Sequence, residues 1–175
     1  RQATLFGGIT VGRDRGDQDG TLLSSTTADL NNPNNLINNN GAIGYDSTYQ
    51  IRGGFSYRLP ADVMFAGSIR EATGLPQART YVITTSIVPG LTQVTQNVKA
   101  TPNGEFRYPW VNLVDLRLTK SFKTGATRFE PTVDLFNIFN NNAITNANTT
   151  IGSSLGRPSA IVMGRLLRIG GRITF

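Results

Sequence analysis

Arginine and carboxylate are the reactive groups that this sequence spaces most regularly. Arg52, Arg58, Arg70, Arg117, Arg128, Arg168 and Arg172 each stand next to apolar residues in alternating runs. Asp115, Glu130 and Asp134 fall on the same polar phase. A guanidinium carries its donors in a planar fork that fits a carboxylate two bonds at a time. Such groups on neighbouring strands brace one another or an overlying plug; uncompensated, they capture an anion. The three acids on the same phase favour structural pairing over capture of an anionic substrate.

Two loop segments offer weaker chemistry. Arg13–Gly20 (RDRGDQDG) holds Asp14, Asp17 and Asp19. A calcium loop needs oxygen ligands at regular intervals and a closing Glu. Neither is present, so this segment reads as a solvated loop and its Arg-Gly-Asp triplet as incidental. The tract Asn31–Asn40 contains seven Asn. Their amides suit sugar hydroxyls, and equally suit a turn-rich loop; the loop is the favoured reading.

Composition closes off several classes. The chain has 175 residues, no Cys and no His. Disulfide scaffolds, thiolate metal sites, His-based triads and the usual zinc ligands are therefore out of reach. No nucleophile–base pair or phosphate loop is recognisable, so neither an enzyme nor a cofactor is expected. No apolar run approaches the roughly 18 residues of a membrane-spanning helix. Net charge is +6, yet only 16% of residues are charged. The arginines alternate along strands instead of clustering with stacking aromatics, which argues against nucleic acid.

Alternation with a period of two dominates, so the expected class is all-β. Six long strands are predicted, at about 3–12, 48–59, 63–71, 110–122, 128–140 and 165–175. Alternation in the fifth is blurred, because Phe136 and Ile138 fall on its polar side. Turns near Pro60–Asp62 and Lys123–Ala126 are short, whereas Arg13–Ser47, Ala72–Pro109 and Asn141–Gly164 are long. Extended pieces near Thr80–Val88 and Leu91–Ala100 are expected to prolong the flanking strands. Three long connections are unusual in a compact domain. They suit an antiparallel transmembrane barrel, with short turns at one rim and long loops at the other. Tyr57, Phe65, Phe122, Phe129 and Phe175 fall near the short-turn end, and Tyr49, Tyr108, Trp110 and Phe139 near the long-loop end. Paired aromatic girdles are a feature of such barrels. Six strands cannot close one, since the smallest bacterial examples have about 8. The chain also opens at Arg1 directly into a strand-like run. The expectation is therefore a portion of a larger barrel.

The last third carries a family resemblance. Tyr108–Phe122 reads YPWVNLVDLRLTKSF, Phe129–Asn142 reads FEPTVDLFNIFNNN, and the chain closes GRLLRIGGRITF. These resemble the final strands of TonB-dependent outer-membrane receptors, above all the large Oar-like group with a carboxypeptidase-regulatory-like domain. In that group a "VNLLDLRVEKRF"-type strand precedes a "DVFNLFN"-type strand, and an aromatic ends the chain. Asn31–Leu36 (NNPNNL) and Gly74–Arg79 (GLPQAR) are similar to its loops. Relatives often carry Cys around the first of these; this sequence has none. The resemblance implies that residues 1–175 are the C-terminal part of a barrel of about 22 strands. The plug and earlier strands would lie outside this sequence. It further implies a Gram-negative outer-membrane location, and nutrient uptake energised by TonB through the plug.

Several residues acquire expected roles from this picture. Leu167, Ile169, Ile173 and Phe175 form an apolar, aromatic-ended last strand of the kind presented for edge pairing during outer-membrane assembly. Arg52, Arg58, Arg70, Asp115, Arg117, Arg128, Glu130, Asp134, Arg168 and Arg172 would face the lumen. Arg165 falls on the apolar phase at the long-loop rim, where it would meet lipopolysaccharide phosphate or simply snorkel. Lys120 is its counterpart at the other rim. Expected partners are outer-membrane lipid, the remaining barrel and plug, and other surface proteins. The alternative is a structural surface protein, an adhesin or scaffold assembled by strand pairing. A water-soluble β-sandwich with a binding role is a third reading.

Overall fold

The computed structural model describes residues 2–17 and 32–175. Its frame is six long strands: β1 (Ala3–Val11), β2 (Tyr49–Leu59), β3 (Val63–Ala72), β4 (Val111–Lys120), β5 (Thr127–Phe136) and β6 (Leu166–Thr174). Each pairs antiparallel with the next, giving one meander in chain order. The fold is all-β and antiparallel, as the alternation predicts. Among the described residues β1 pairs only with β2, and β6 only with β5, so the sheet is open at both edges.

Two expectations need correction. The fifth strand stops at Phe136, not near Asn140. Asn137 takes a left-handed φ of 50°, which a continuing strand does not tolerate. Its amide N–H turns to Asp115 Oδ1 at 2.8 Å. Phe136 and Ile138 blurred the alternation because the strand was ending there. The extended pieces of the second long link do not prolong β3 and β4 either. Thr80–Thr84 and Thr95–Lys99 pair with each other as a separate two-stranded sheet. The fourth strand is also interrupted: it resumes after Ser121 as Phe122–Thr124, in register with β5. By register Lys120, just before the break, stands opposite Pro131, which has no N–H to offer. On its other side Ser121 continues the register with β3, donating its N–H to the carbonyl of Asp62 at 3.0 Å.

Register decides what each face presents, because directly paired residues share a face. Phe55, Gly67 and Leu116 lie in one cross-strand row, and Leu116 pairs on to Leu135 and Leu167. Ala66, Arg117, Asp134 and Arg168 lie in the next. The apolar phases of all six strands therefore meet on one face, and the polar phases on the other. Among the described residues the apolar face is uncovered: Leu5 is 84% exposed and Ile169 76%. No side chain among the described residues is fully buried, and the only buried hydrophobics are Ala42 and Ala143.

The meander puts the two short turns at one end and the three long links at the other. In the turn after β2, Ala61 and Asp62 both take positive φ, 62° and 56°, so the chain reverses within three residues. The long links carry paired segments of their own, including Arg15–Gly16 with Gly41–Ala42 and Ile144–Ala147 with Pro158–Ile161. Where β3 leaves the sheet and β4 enters it, the backbones nearly touch at Gly74. A Cβ there would sit 1.8 Å from the Tyr108 carbonyl oxygen, and no rotamer change relieves a clash with backbone. Gly8 has nothing within 4 Å of the same position. Gly74→Ala is expected to destabilise the chain by about 1–3 kcal/mol, while Gly8→Ala stays within about 0.5 kcal/mol. Denaturant midpoints of the two variants check this.

Candidate functional site

The polar face is organised around one carboxylate. Asp134, on β5, is paired in register with Arg117 on β4 and Arg168 on β6. Arg117 Nε donates to Oδ1 at 2.6 Å, and Arg168 Nε donates to Oδ2 at 2.8 Å. The aspartate side chain is 4% exposed, although the two arginines are more than half exposed. The guanidinium groups thus cover the acid and remain open to solvent themselves. Arg168 also lies 5.1 Å over the Phe136 ring, a cation–π contact. Below this row the Thr119 and Thr132 hydroxyls meet at 3.2 Å, and Arg128 pairs with Glu130 at 2.7 Å. With Asp115 bonded to Asn137 N–H, each acid of this face has a partner.

Nearer the long links the same face opens into a cavity of about 440 Å³. Arg52 and Arg70 line it, and they stand directly opposite one another on β2 and β3. Arg52 Nη2 donates to Gln50 Oε1 at 3.0 Å. Among the described residues neither arginine has a carboxylate within ion-pair reach. Tyr45, Thr73, Leu113 and Tyr108 complete much of the wall.

At this end of the sheet the long links are held together by polar contacts between distant segments. Asp46, of the first link, accepts from Arg107 of the second, whose other nitrogen reaches the carbonyls of Asp46 and Gly74. Asn103 Nδ2 donates to the Asn39 carbonyl at 3.1 Å. Tyr108 joins the second link to the third, its hydroxyl accepting the Ala147 N–H at 3.0 Å. Asn39, Asp46, Thr73, Gln96 and Asn103 are all buried. The sequence reading missed Asp46 and Arg107, which are 61 positions apart. Neither residue stands in a motif or an alternating run that would have singled it out.

The other singled-out residues scatter. Arg58 and Arg172 share the polar face toward the short-turn end, without an ion pair among the described residues. Arg172 is nevertheless in register with Glu130. Leu167, Ile169 and Ile173 lie on the apolar face of β6, and Phe175, just beyond it, is 97% exposed. Arg165 donates its backbone N–H to Asn140 Oδ1 at 2.9 Å. Lys120 reaches the Ala61 carbonyl and the Phe122 ring. Tyr49 stacks on Trp110 at 6.4 Å, and Phe122 on Phe129 at 6.3 Å, one pair toward each end. Tyr108 leaves the long-loop aromatic set expected for it and turns in to the cavity. Asp19 and Asn31 lie outside the described residues. Asn32–Asn40 contains a 3₁₀ turn at Pro33–Leu36, capped by the Asn32 side chain. No group of acids fit to hold a metal occurs among the described residues.

Such an arrangement can bind and orient charge; it holds no evident nucleophile with a base. No family model, curated protein or solved structure matches the chain. Its own geometry therefore has to carry the functional argument. Asp134→Asn removes the charge that two arginines share and is expected to cost about 1–3 kcal/mol. Glu130→Gln, in a more exposed pair, is expected to cost less than about 1 kcal/mol. Urea titration of both variants checks the ranking.

Proposed function

We propose that this chain is part of the wall of a bacterial outer-membrane barrel of the TonB-dependent receptor type, serving nutrient uptake. One observation carries the proposal: a single sheet presents a continuous apolar face that none of the described residues covers, backed by an arginine-rich polar face. In water an apolar face of this extent is unfavourable. A sandwich would bury it under a second sheet, and Leu118, Val133 and Ile173 remain at least 41% exposed. Lipid satisfies such a face, and the opposite side then lines an interior. Aromatic pairs toward both ends, Tyr49–Trp110 and Phe122–Phe129, suit the two interfaces of a bilayer.

The open edges of β1 and β6 require further strands, because unpaired backbone in hydrocarbon is costly. Remaining strands of a larger barrel would supply them. The same free edges favour the second reading, a surface scaffold built by pairing with other chains, and that reading differs in needing no lipid contact.

The lack of native cysteine makes the test clean. Single cysteines replacing Leu118, Thr119, Thr132 and Val133 are spin-labelled after reconstitution in bilayers. Labels at 118 and 133 should collide with oxygen dissolved in the lipid, and labels at 119 and 132 with a water-soluble nickel relaxer. Equal accessibility of both faces, or protection of 118 and 133 from both relaxers, would overturn the membrane reading.

A further inference from the structure

We infer that Arg52 and Arg70 form a binding subsite for an amphipathic anion, a carboxylate or phosphate joined to an apolar body. The inference rests on the reading of the polar face as an accessible interior, and names a ligand class for it. The first ground is register. Arg52 and Arg70 are a direct cross-strand pair, a relation that brings Cβ atoms within about 4.5–5.5 Å and makes like charges repel. The second is the lack of compensation. On the same face Arg117 and Arg168 share Asp134, and Arg128 has Glu130. Arg52 and Arg70 have no acid among the described residues. Glu71 adjoins Arg70 in sequence but is paired with Ile51 on the apolar side, and Asp115 is held by the Asn137 N–H.

The third ground is the space around them. Both arginines line the 440 Å³ cavity, which has the size of a small-ligand site. Gln50 accepts one N–H of Arg52 and so limits how its fork can turn. Beyond the arginines the lining becomes apolar, with Leu113, Val111, Ile144 and Met163. An anionic head between two arginine forks would gain charge-assisted hydrogen bonds and cancel their repulsion. Its hydrocarbon part would lie on the apolar lining. A purely inorganic ion leaves that lining unused, and a neutral ligand leaves the charges opposed.

The test uses the full chain in a nonionic detergent, titrated by calorimetry with 2-naphthoate, 2-naphthyl phosphate and neutral 2-naphthamide. Saturable binding of either anion, with the amide at least about tenfold weaker, is expected. Arg52→Gln and Arg70→Gln should each weaken anion binding by about tenfold. Arg58→Gln, on the same face toward the short-turn end, should leave it unchanged. Denaturant midpoints of the Arg52 and Arg70 variants should not fall, since each removes a like-charge contact. Equal binding of anion and amide, or no saturable binding by any of the three, would overturn the inference without needing a variant. So would equal loss on Arg58→Gln. The spin-label pattern is independent of all these results, so failure here would leave the membrane reading standing.

Discussion

Backbone pairing between neighbouring strands holds this molecule, because no side chain among the described residues is fully buried to share the task. A ladder without a core is specified by its two unlike faces. A slip of one residue would carry every side chain of a strand to the opposite side. For β5 that would put Asp134 and Glu130 among Leu116, Leu118 and Ile169, and Val133 among the arginines. The row Arg117–Asp134–Arg168 therefore fixes register across three strands at once, with the Thr119–Thr132 contact adjacent. Pro131, with no N–H to give, falls where the pairing of β4 with β5 lapses, while Ser121 keeps its bond to the turn after β2.

The same absence of a core shapes the loop end. Buried positions there are Asn39, Asp46, Thr73, Gln96 and Asn103, with Ala42 and Ala143 as the only apolar ones. Polar groups taken out of water must be bonded, and these bonds run both within the long links, as from the Asp14 N–H to Asp46, and between them. Arg107 ties the first link to the second, and Tyr108 ties the second to the third. Close approach of Gly74 to the Tyr108 backbone brings that tyrosine over the polar face. Gly74 and Tyr108 both line the cavity, and Arg107 ties Gly74 to Asp46.

Local periodicity made the sheet legible. Five of the six long strands lie within a residue or two of the spans their alternation indicates, and the facing of each follows from the same pattern. What could not be read locally depends on partners far along the chain. The hairpin Thr80–Thr84 with Thr95–Lys99 has strands too short for alternation to reveal which neighbour they choose. Asn137 ends β5 through its own backbone conformation and a contact to Asp115, 22 positions away. Asp46 and Arg107 carry no motif at all. The arginines were legible as a class, but pairing divides them, and pairing depends on register: Arg117 and Arg168 meet Asp134, whereas Arg52 meets Arg70.

That division gives most of the net charge of +6 a location. Seven arginines and three acids share the polar face, so the face is cationic however they pair. The acids sit on β4 and β5, and β2 and β3 bring none to this side. Positive potential is therefore concentrated over β2 and β3, beside the cavity and beneath the linked loops. A field in a concave, partly apolar site acts more strongly than the same charge on an open surface. A sheet needing only rigidity would gain by placing an acid opposite Arg52, as it does opposite Arg117. The arginine at that position instead sets like charges opposite one another, which suits a face arranged to receive charge from outside the chain.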